Sequence, residues 1–267
     1  MKIGVLGKLT KIGTEEVMQE ILSLLKGMGH ETVRFASHRE IDGVDVVIVL
    51  GGDGAILHAA LPAAQKGIKV IGINFGNLGF LTEYEKDERE CVRDLITALE
   101  AGLCKIVKRS LLQITIGEKV YYALNEIAIQ RDNSLISAAA TQILTVEVEA
   151  KEGVDVISGD GLLFCTPTGS TAYSLSAGGA ILTPEVPVFM MTPICAFSMR
   201  ARPIVFADTD EFTIRIKKGK SIILSDGRVI AALPENGELH IKKAPFTADF
   251  PVKNGSDFFA RVRNKLG

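Results

Sequence analysis

From Val44 to Leu50 the chain runs Val-Asp-Val-Val-Ile-Val-Leu, so that after Asp45 apolar side chains fall on both faces of any strand they form. That pattern predicts a strand buried on both sides, as in a parallel sheet. Similar short apolar runs at Lys2 to Leu6, Thr32 to Ala36 and Lys69 to Asn74 predict three more strands. Between them the spacing changes to the helical one. Val17, Ile21, Leu24, Leu25 and Met28 make one stripe of a helix over Thr14 to Met28, with Thr14 as its cap, Glu15 and Glu16 at its positive end and Gly29 closing it. Ile56, Leu57, Ala60, Leu61 and Ala64 make a second helix from Ala55, which Pro62 is expected to kink. Val92, Leu95, Ile96 and Leu99 mark a third over Glu88 to Leu99, closed by Gly102. Strands alternating with helices predict a three-layer α/β domain with a mainly parallel sheet.

Beyond Lys105 the helical spacing gives way to strand patterns. Leu111 to Ile116, Val120 to Gln130, Gln142 to Ala150, Phe212 to Ile216 and Ser221 to Leu224 are rich in β-branched residues and separated by Gly, Asp, Asn and Pro. Leu144-Thr-Val-Glu-Val-Glu149 alternates strictly. This half is expected to be an all-β, sandwich-like domain. The division is drawn as 1–104 for the α/β domain, 105–250 for the β-rich domain and 251–267 for a tail. There Phe258, Phe259 and Val262 have helical spacing, and the tail is expected to pack back on the first domain. With no low-complexity linker, the cleft between two closely joined domains is the default site.

Composition narrows the function. The 267 residues are 47% hydrophobic and carry a net charge of −2, so a core is assured and no basic surface exists for nucleic acid or for a membrane. No apolar run reaches membrane-spanning length, and the first residues turn polar too soon for a signal sequence, which points to the cytoplasm. Cys91, Cys104, Cys165 and Cys195 are far apart among apolar neighbours and are expected to be buried thiols. The four histidines are scattered, which argues against a zinc site built by the protein.

Three stretches carry chemistry. Gly51-Gly52-Asp53-Gly54 follows the most buried strand and opens a helix. Glycines there permit positive φ and close approach of a ligand, and the helix offers N–H groups to phosphate. A carboxylate beside phosphate needs a metal, a hydroxyl or a proton to accept, making Asp53 a catalytic candidate; capping the helix is its other reading. A second glycine-rich loop, Asn74 to Leu81, also follows a strand, where open α/β sheets bind ligands. Asn125-Glu126 places an amide and a carboxylate in an apolar strand. These suit ribose hydroxyls, although a solvated strand end fits them as well. Ser158 to Gly179 joins a strand, Gly161 to Cys165, to a turn dense in hydroxyls and small residues. A segment of possible helix then ends in Gly178-Gly179. Hydroxyls and free N–H groups suit phosphate and sugar oxygens, and Tyr173 offers a ring to a base. Neither the P-loop pattern nor the usual dinucleotide fingerprint occurs.

Taken in order, Gly51 to Gly54, Asn74 to Leu81, Asn125-Glu126, Asp160-Gly161 and Thr166-Pro-Thr-Gly-Ser-Thr-Ala-Tyr173 with Ser176-Ala-Gly-Gly179 resemble the signature set of the NAD kinases over most of the chain. The glycine motif alone is shared with diacylglycerol and sphingosine kinases; the long second motif is more specific. The resemblance implies a cytosolic homo-oligomer, dimer or tetramer. It would phosphorylate the adenosine ribose 2′-hydroxyl of NAD with ATP and Mg²⁺ or another divalent cation. By motif, Asp53 would be the general base, Gly51, Gly52 and Gly54 would lie against phosphates, and Phe80 would line the adenosine pocket. Asn125 and Glu126 would hold adenine and ribose, with Thr168, Thr171, Ala172, Tyr173 and Ser176 around the same nucleotide and Asp160 near the nicotinamide. Two departures stand out: Ala55 replaces the usual Thr or Ser, and Ala196-Phe197 replaces a usual Pro-His. The alternatives are a lipid kinase and a non-catalytic NAD(P)-binding protein.

Overall fold

The structure, a computed structural model, describes all residues except 8–12, 76–78, 86, 87, 89, 90, 133–142, 254, 256 and 267. Part of the second glycine-rich loop, Gly76-Asn77-Leu78, therefore lies outside the described residues. The chain forms two compact units, Met1–Lys108 with Phe246–Gly267, and Arg109–Pro245.

The first unit contains strands β1 (Lys2–Gly7), β2 (Glu31–Phe35), β3 (Val46–Leu50), β4 (Lys69–Asn74) and β5 (Tyr84–Glu85), with helices α1 (Thr14–Gly27), α2 (Asp53–Ala64) and α3 (Val92–Glu100). The sheet order is β2-β1-β3-β4-β5, and each of its pairings is parallel. Every residue of β3 is buried, which is what its unbroken apolar run requires of a central strand. Because β2 lies on one side of β1 and β3 on the other, strand order reverses between β1 and β3, and the glycine motif emerges from the carboxyl end of β3. That is where open α/β sheets collect ligands.

Several local expectations change. Thr14 does not cap α1: Gly13 occupies that position with φ 84°. Thr14 is buried, its methyl lying over Gly7 of β1, and its hydroxyl has no hydrogen-bond partner among the described residues. Packing against the sheet has taken the side chain away from the cap. Pro62 stands inside the last turn of α2, two residues before the helix ends, where it forfeits the intrahelical bond to the carbonyl of His58. The helix expected from Glu88 is described only from Val92; the Glu88 carboxylate instead accepts the Glu85 N–H at 3.1 Å. Of the four cysteines only Cys165 is fully buried, while Cys91, at the start of α3, and Cys195, in a loop with φ 44°, are exposed. Apolar neighbours in sequence do not bury a residue at an element boundary.

The second unit is a sandwich. Its strands are β6 (Lys105–Ile116, whose first four residues belong to the first unit), β7 (Lys119–Ala123), β8 (Glu126–Arg131), β9 (Leu144–Ala150), β10 (Gly153–Gly159), β11 (Gly161–Cys165), β12 (Val188–Ile194), β13 (Ile204–Ala207), β14 (Phe212–Lys218), β15 (Ser221–Ser225), β16 (Arg228–Leu233) and β17 (Glu238–Val252, which belongs to the first unit from Phe246), with a single turn of helix, α4 (Tyr173–Ser176). The sheets run β10-β9-β14-β17-β6-β7 and β13-β12-β11-β8-β15-β16. Their inner faces share one core, in which Phe164 of one sheet meets Phe212 of the other at a ring-centroid distance of 5.0 Å. The apolar run from Val120 to Gln130 is two strands, broken at Leu124-Asn125.

After β17 the chain ends in a helix, Phe258–Leu266, none of whose residues is fully buried. Charge holds it to the first unit. Glu83, almost wholly buried, accepts the Arg261 guanidinium at 2.5 Å and the Lys253 N–H at 2.8 Å, and Lys253 Nζ pairs with Glu88 at 3.0 Å. Removing one partner of a buried pair strands the other. Arg261→Met is therefore expected to cost about 3 kcal/mol of stability, read from the urea midpoint of unfolding. An unchanged midpoint would mean that Glu83 is satisfied without it.

Candidate active site

In the first unit the site is built around Asp53, the first residue of α2. Its carboxylate does not cap that helix. Oδ2 accepts the Phe80 N–H at 2.8 Å and Oδ1 accepts the Leu81 N–H at 2.9 Å, which ties the glycine motif to the segment after β4. Lys265 Nζ, from the C-terminal helix, lies 3.0 Å from Oδ2 and 4.3 Å from the centroid of the Phe80 ring. Phe80 is buried, with Phe258 at a centroid distance of 6.2 Å. A Cβ on Gly79 would stand 2.1 Å from Asp53 Oδ1, so only glycine lets that carboxylate reach the backbone beyond it.

Gly51, Gly52 and Gly54 do not take positive φ, contrary to one reason given for glycine there. Gly51 is required because its Cβ would meet that of Ala55 at 2.6 Å, whereas around Gly52 and Gly54 the space a Cβ would fill is open. Among the described residues nothing in the packing demands glycine at these two positions.

In the second unit a half-buried carboxylate again gathers backbone N–H groups. Asp226, in the turn between β15 and β16 with φ 47°, accepts Leu124 N–H at 2.9 Å through Oδ2, and Asn125 N–H at 2.8 Å and Glu126 N–H at 3.2 Å through Oδ1. These bonds replace the sheet ladder and cause the break between β7 and β8. Thr166, fully buried, donates its hydroxyl to Leu124 O at 2.6 Å and its N–H to Asn125 O at 2.9 Å. A Cβ on Gly169 would lie 2.0 Å from Asn125 O. The Asn125-Glu126 pair and the hydroxyl-rich turn are thus pressed together by backbone contacts that admit no side chain at residue 169.

The remaining hydroxyls are shared between turn and site. Ser170 Oγ donates to Pro167 O and accepts the Leu182 N–H, Thr171 Oγ1 donates to Thr168 O at 3.3 Å, and Ser174 pairs with Thr192 at 2.9 Å. Thr168 Oγ1 accepts a bond of 3.2 Å from buried Arg109. The expected helix after this turn is only a 3₁₀ turn, Gly169–Thr171, and α4, with Ala172 at φ −103° and ψ −126° between them. That break aims the Tyr173 N–H at the Glu126 carboxyl while the Tyr173 hydroxyl accepts from Gln130 at 2.9 Å. Tyr173 and Ser176 are exposed beside this cluster. Asp160 stands off it, at the far end of β11, with Arg131 at 3.3 Å. Its neighbour Gly161 is in register with Gln130, the residue that Tyr173 reaches.

Glu126 is the group most altered by its surroundings. It is 7% exposed, and one carboxyl oxygen, Oε2, has no hydrogen-bond partner among the described residues. Burial first, and then the charge of Asp226, push its pKa up to about 7, against the Tyr173 N–H, which favours the ionised form. Burial also raises Asp226, opposed by its three N–H donors. A buried acceptor left open beside a turn of hydroxyls can bind a hydroxyl-bearing ligand.

Sequence reasoning missed Asp226, Arg109 and Lys265, and took Gly79 only as part of the glycine-rich loop Asn74 to Leu81.

Family models described as the ATP-NAD kinase N-terminal domain and the ATP-NAD kinase C-terminal domain match residues 3–104 and 124–251. The chain belongs to the ATP-NAD kinase family. Its relatives include an NAD kinase of Carboxydothermus hydrogenoformans, 37% identical over 84% of this chain and 79% of that one, and an NAD kinase of Methanothermobacter thermautotrophicus, 32% identical over 100% and 96%. Among solved structures, an NAD kinase from Archaeoglobus fulgidus in complex with ATP superposes with a TM-score of 0.79, at 27% identity over 99% of both chains. Yeast NADH kinase complexed with NADH shares the fold, with a TM-score of 0.85 at 24% identity over 100% of this chain and 87% of that one. This enzyme's activity is accordingly that of an NAD kinase, and neither the lipid-kinase nor the non-catalytic reading is favoured.

The Glu126 environment has a consequence for stability. A carboxyl raised from 4.5 to about 7 in the folded state contributes stability below pH 4.5 that is lost as pH rises through about 7. Glu126→Gln is expected to flatten that decline, leaving the variant more stable than the parent at pH 8 by about 2 kcal/mol relative to the difference at pH 4. Parallel pH profiles of the melting temperature in the two proteins would contradict the buried, destabilised carboxyl.

Proposed function

We propose that the enzyme transfers the γ-phosphoryl group of ATP to the 2′-oxygen of the adenosine ribose of NAD, with Asp53 as general base. The observation that carries this reading is the setting of Asp53. It is a partly exposed carboxylate locked by two backbone N–H groups at the head of a glycine motif whose Gly52 and Gly54 have, among the described residues, no packing reason to be glycine. Open space at those positions suits backbone approach to phosphate oxygens, with Gly51 holding the turn. In the second unit, Glu126 and Asn125 would bind ribose and adenine groups through the open acceptor and the amide. Thr168, Thr171, Ala172, Tyr173 and Ser176 would bound the same nucleotide, and Asp160 would lie toward the nicotinamide. Phe80, buried under Lys265, would contribute to the adenosine pocket only at its exposed edge.

In the reaction Asp53 takes the proton of the 2′-hydroxyl as that oxygen forms its bond to the γ-phosphorus. The bond from that phosphorus to the bridging oxygen breaks, and ADP leaves with the electron pair. The glycine-loop N–H groups stabilise the charge on the transferred phosphoryl oxygens without reorganising. Among the described residues no cluster of three or more His, Cys, Asp or Glu could hold a metal ion. Magnesium would arrive on the donor phosphates, where it would neutralise phosphate charge. We further propose a cytoplasmic homo-oligomer. Supporting association, the edge strands β10 and β13 expose Val154, Val156 and Val205, and no helix of the described residues is long and apolar enough to cross a membrane.

Asp53→Asn keeps the shape of the side chain and removes the base. It is expected to lower kcat by about 10²–10⁴ while NAD affinity, measured by calorimetry, stays near the parent's. A near-normal kcat would remove Asp53 from the chemistry and leave it as the tie to Phe80 and Leu81.

A further inference from the structure

Lys265 reaches Asp53 across 212 positions of sequence, on a helix that buries no residue fully. The helix does not depend on this contact, since Arg261 with Glu83 and Lys253 with Glu83 and Glu88 already fix the segment. The Asp53 and Lys265 side chains are each about a third exposed. An ion pair so exposed adds little to stability, on the order of 0–1 kcal/mol. Yet the ammonium has a two-part seat, the carboxylate and the Phe80 ring, and the N–H of the same Phe80 binds the same carboxyl oxygen.

The two oxygens of Asp53 are consequently unequal. A carboxylate oxygen has two lone-pair directions. Among the described residues Oδ2 uses both, for the Phe80 N–H and for Lys265, while Oδ1 uses one, for the Leu81 N–H. A side chain at residue 79 would collide with Oδ1 at 2.1 Å, so buried Gly79 is what lets that oxygen reach the Leu81 N–H. We infer that Lys265 is a positioning residue: by occupying Oδ2 it holds the carboxylate so that Oδ1, which keeps a lone pair unused, is the atom that takes the substrate proton. This rests on the reading of Asp53 as the general base.

The test is a double-mutant cycle in the full-length enzyme, with Lys265→Gln, Lys265→Arg, Asp53→Asn and the Asp53→Asn/Lys265→Gln pair. For each, kcat, KM for NAD, KM for ATP and the melting temperature are measured. Lys265→Gln is expected to lower kcat about 10-fold to 100-fold, the scale of a misaligned reacting group. Both KM values should stay within about twofold and the melting temperature should hold, because the other anchors remain. Lys265→Arg, which keeps the charge, should recover most of the loss. In the Asp53→Asn background Lys265→Gln should cost nothing further, since the group it positions is gone. An unchanged kcat in Lys265→Gln overturns the inference, as does an equal loss in both backgrounds, or a raised KM for ATP at constant kcat, which would make Lys265 a direct phosphate contact. Failure of the underlying reading looks different. A near-normal kcat in Asp53→Asn removes the base itself, whereas a slow Asp53→Asn with a normal Lys265→Gln removes only the role of the lysine.

Discussion

A carboxylate that accepts backbone N–H groups from a distant segment is the contact on which the candidate residues of each unit depend. Asp53 holds Phe80 and Leu81 in the first unit, and Asp226 holds Leu124, Asn125 and Glu126 in the second. Hydrogen bonds to an ionised group contribute about 1.5–3 kcal/mol each, enough for two or three of them to fix a loop that no ladder supports. Each tie also uses a close approach that only glycine allows, Gly79 beside Asp53 and Gly169 against Asn125. The small residues of these motifs therefore do two jobs. Some let the chain pack on itself, and others, Gly52 and Gly54, leave room that the chain does not use.

The same device has opposite electrostatic results in the two units. Asp53 remains partly exposed and meets a lysine, as would suit the general base proposed above. Asp226 is half-buried beside Glu126, and its charge adds to the burial that keeps the Glu126 carboxyl up to about 7. Stability is given up at Glu126 to keep an acceptor open, a pattern expected where a binding site competes with the fold.

Much of this was legible in the sequence. The apolar run of β3 and the helical stripes of α1 and α3 specify a parallel α/β unit because burial on two faces and on one face leave different periodicities. The alternation at Leu144 to Glu149 specifies the sandwich in the same way. The motifs at Gly51 and Thr166 stood out because close approach needs small residues in sequence. What was not legible depends on contacts between distant positions. Asp226 lies about a hundred residues from the N–H groups it binds, so its turn looked ordinary. Thr14 had the right chemistry for a cap, but packing on Gly7 outweighed it. The strand from Val120 looked continuous because nothing local reveals that a carboxylate elsewhere takes its N–H groups. Lys265 was invisible for the same reason, as one of several charges on a tail whose docking partner, Glu83, is itself an unremarkable acid after a loop.

The central claim is that this chain delivers a phosphoryl group to one particular ribose oxygen. It is tested most directly by incubating the purified protein with NAD, ATP and Mg²⁺ and following the products by ³¹P NMR. The account predicts stoichiometric ADP and a new monoester resonance coupled to the proton at the adenosine 2′ carbon. No monoester, or one on the 3′-oxygen or on the nicotinamide ribose, would contradict it.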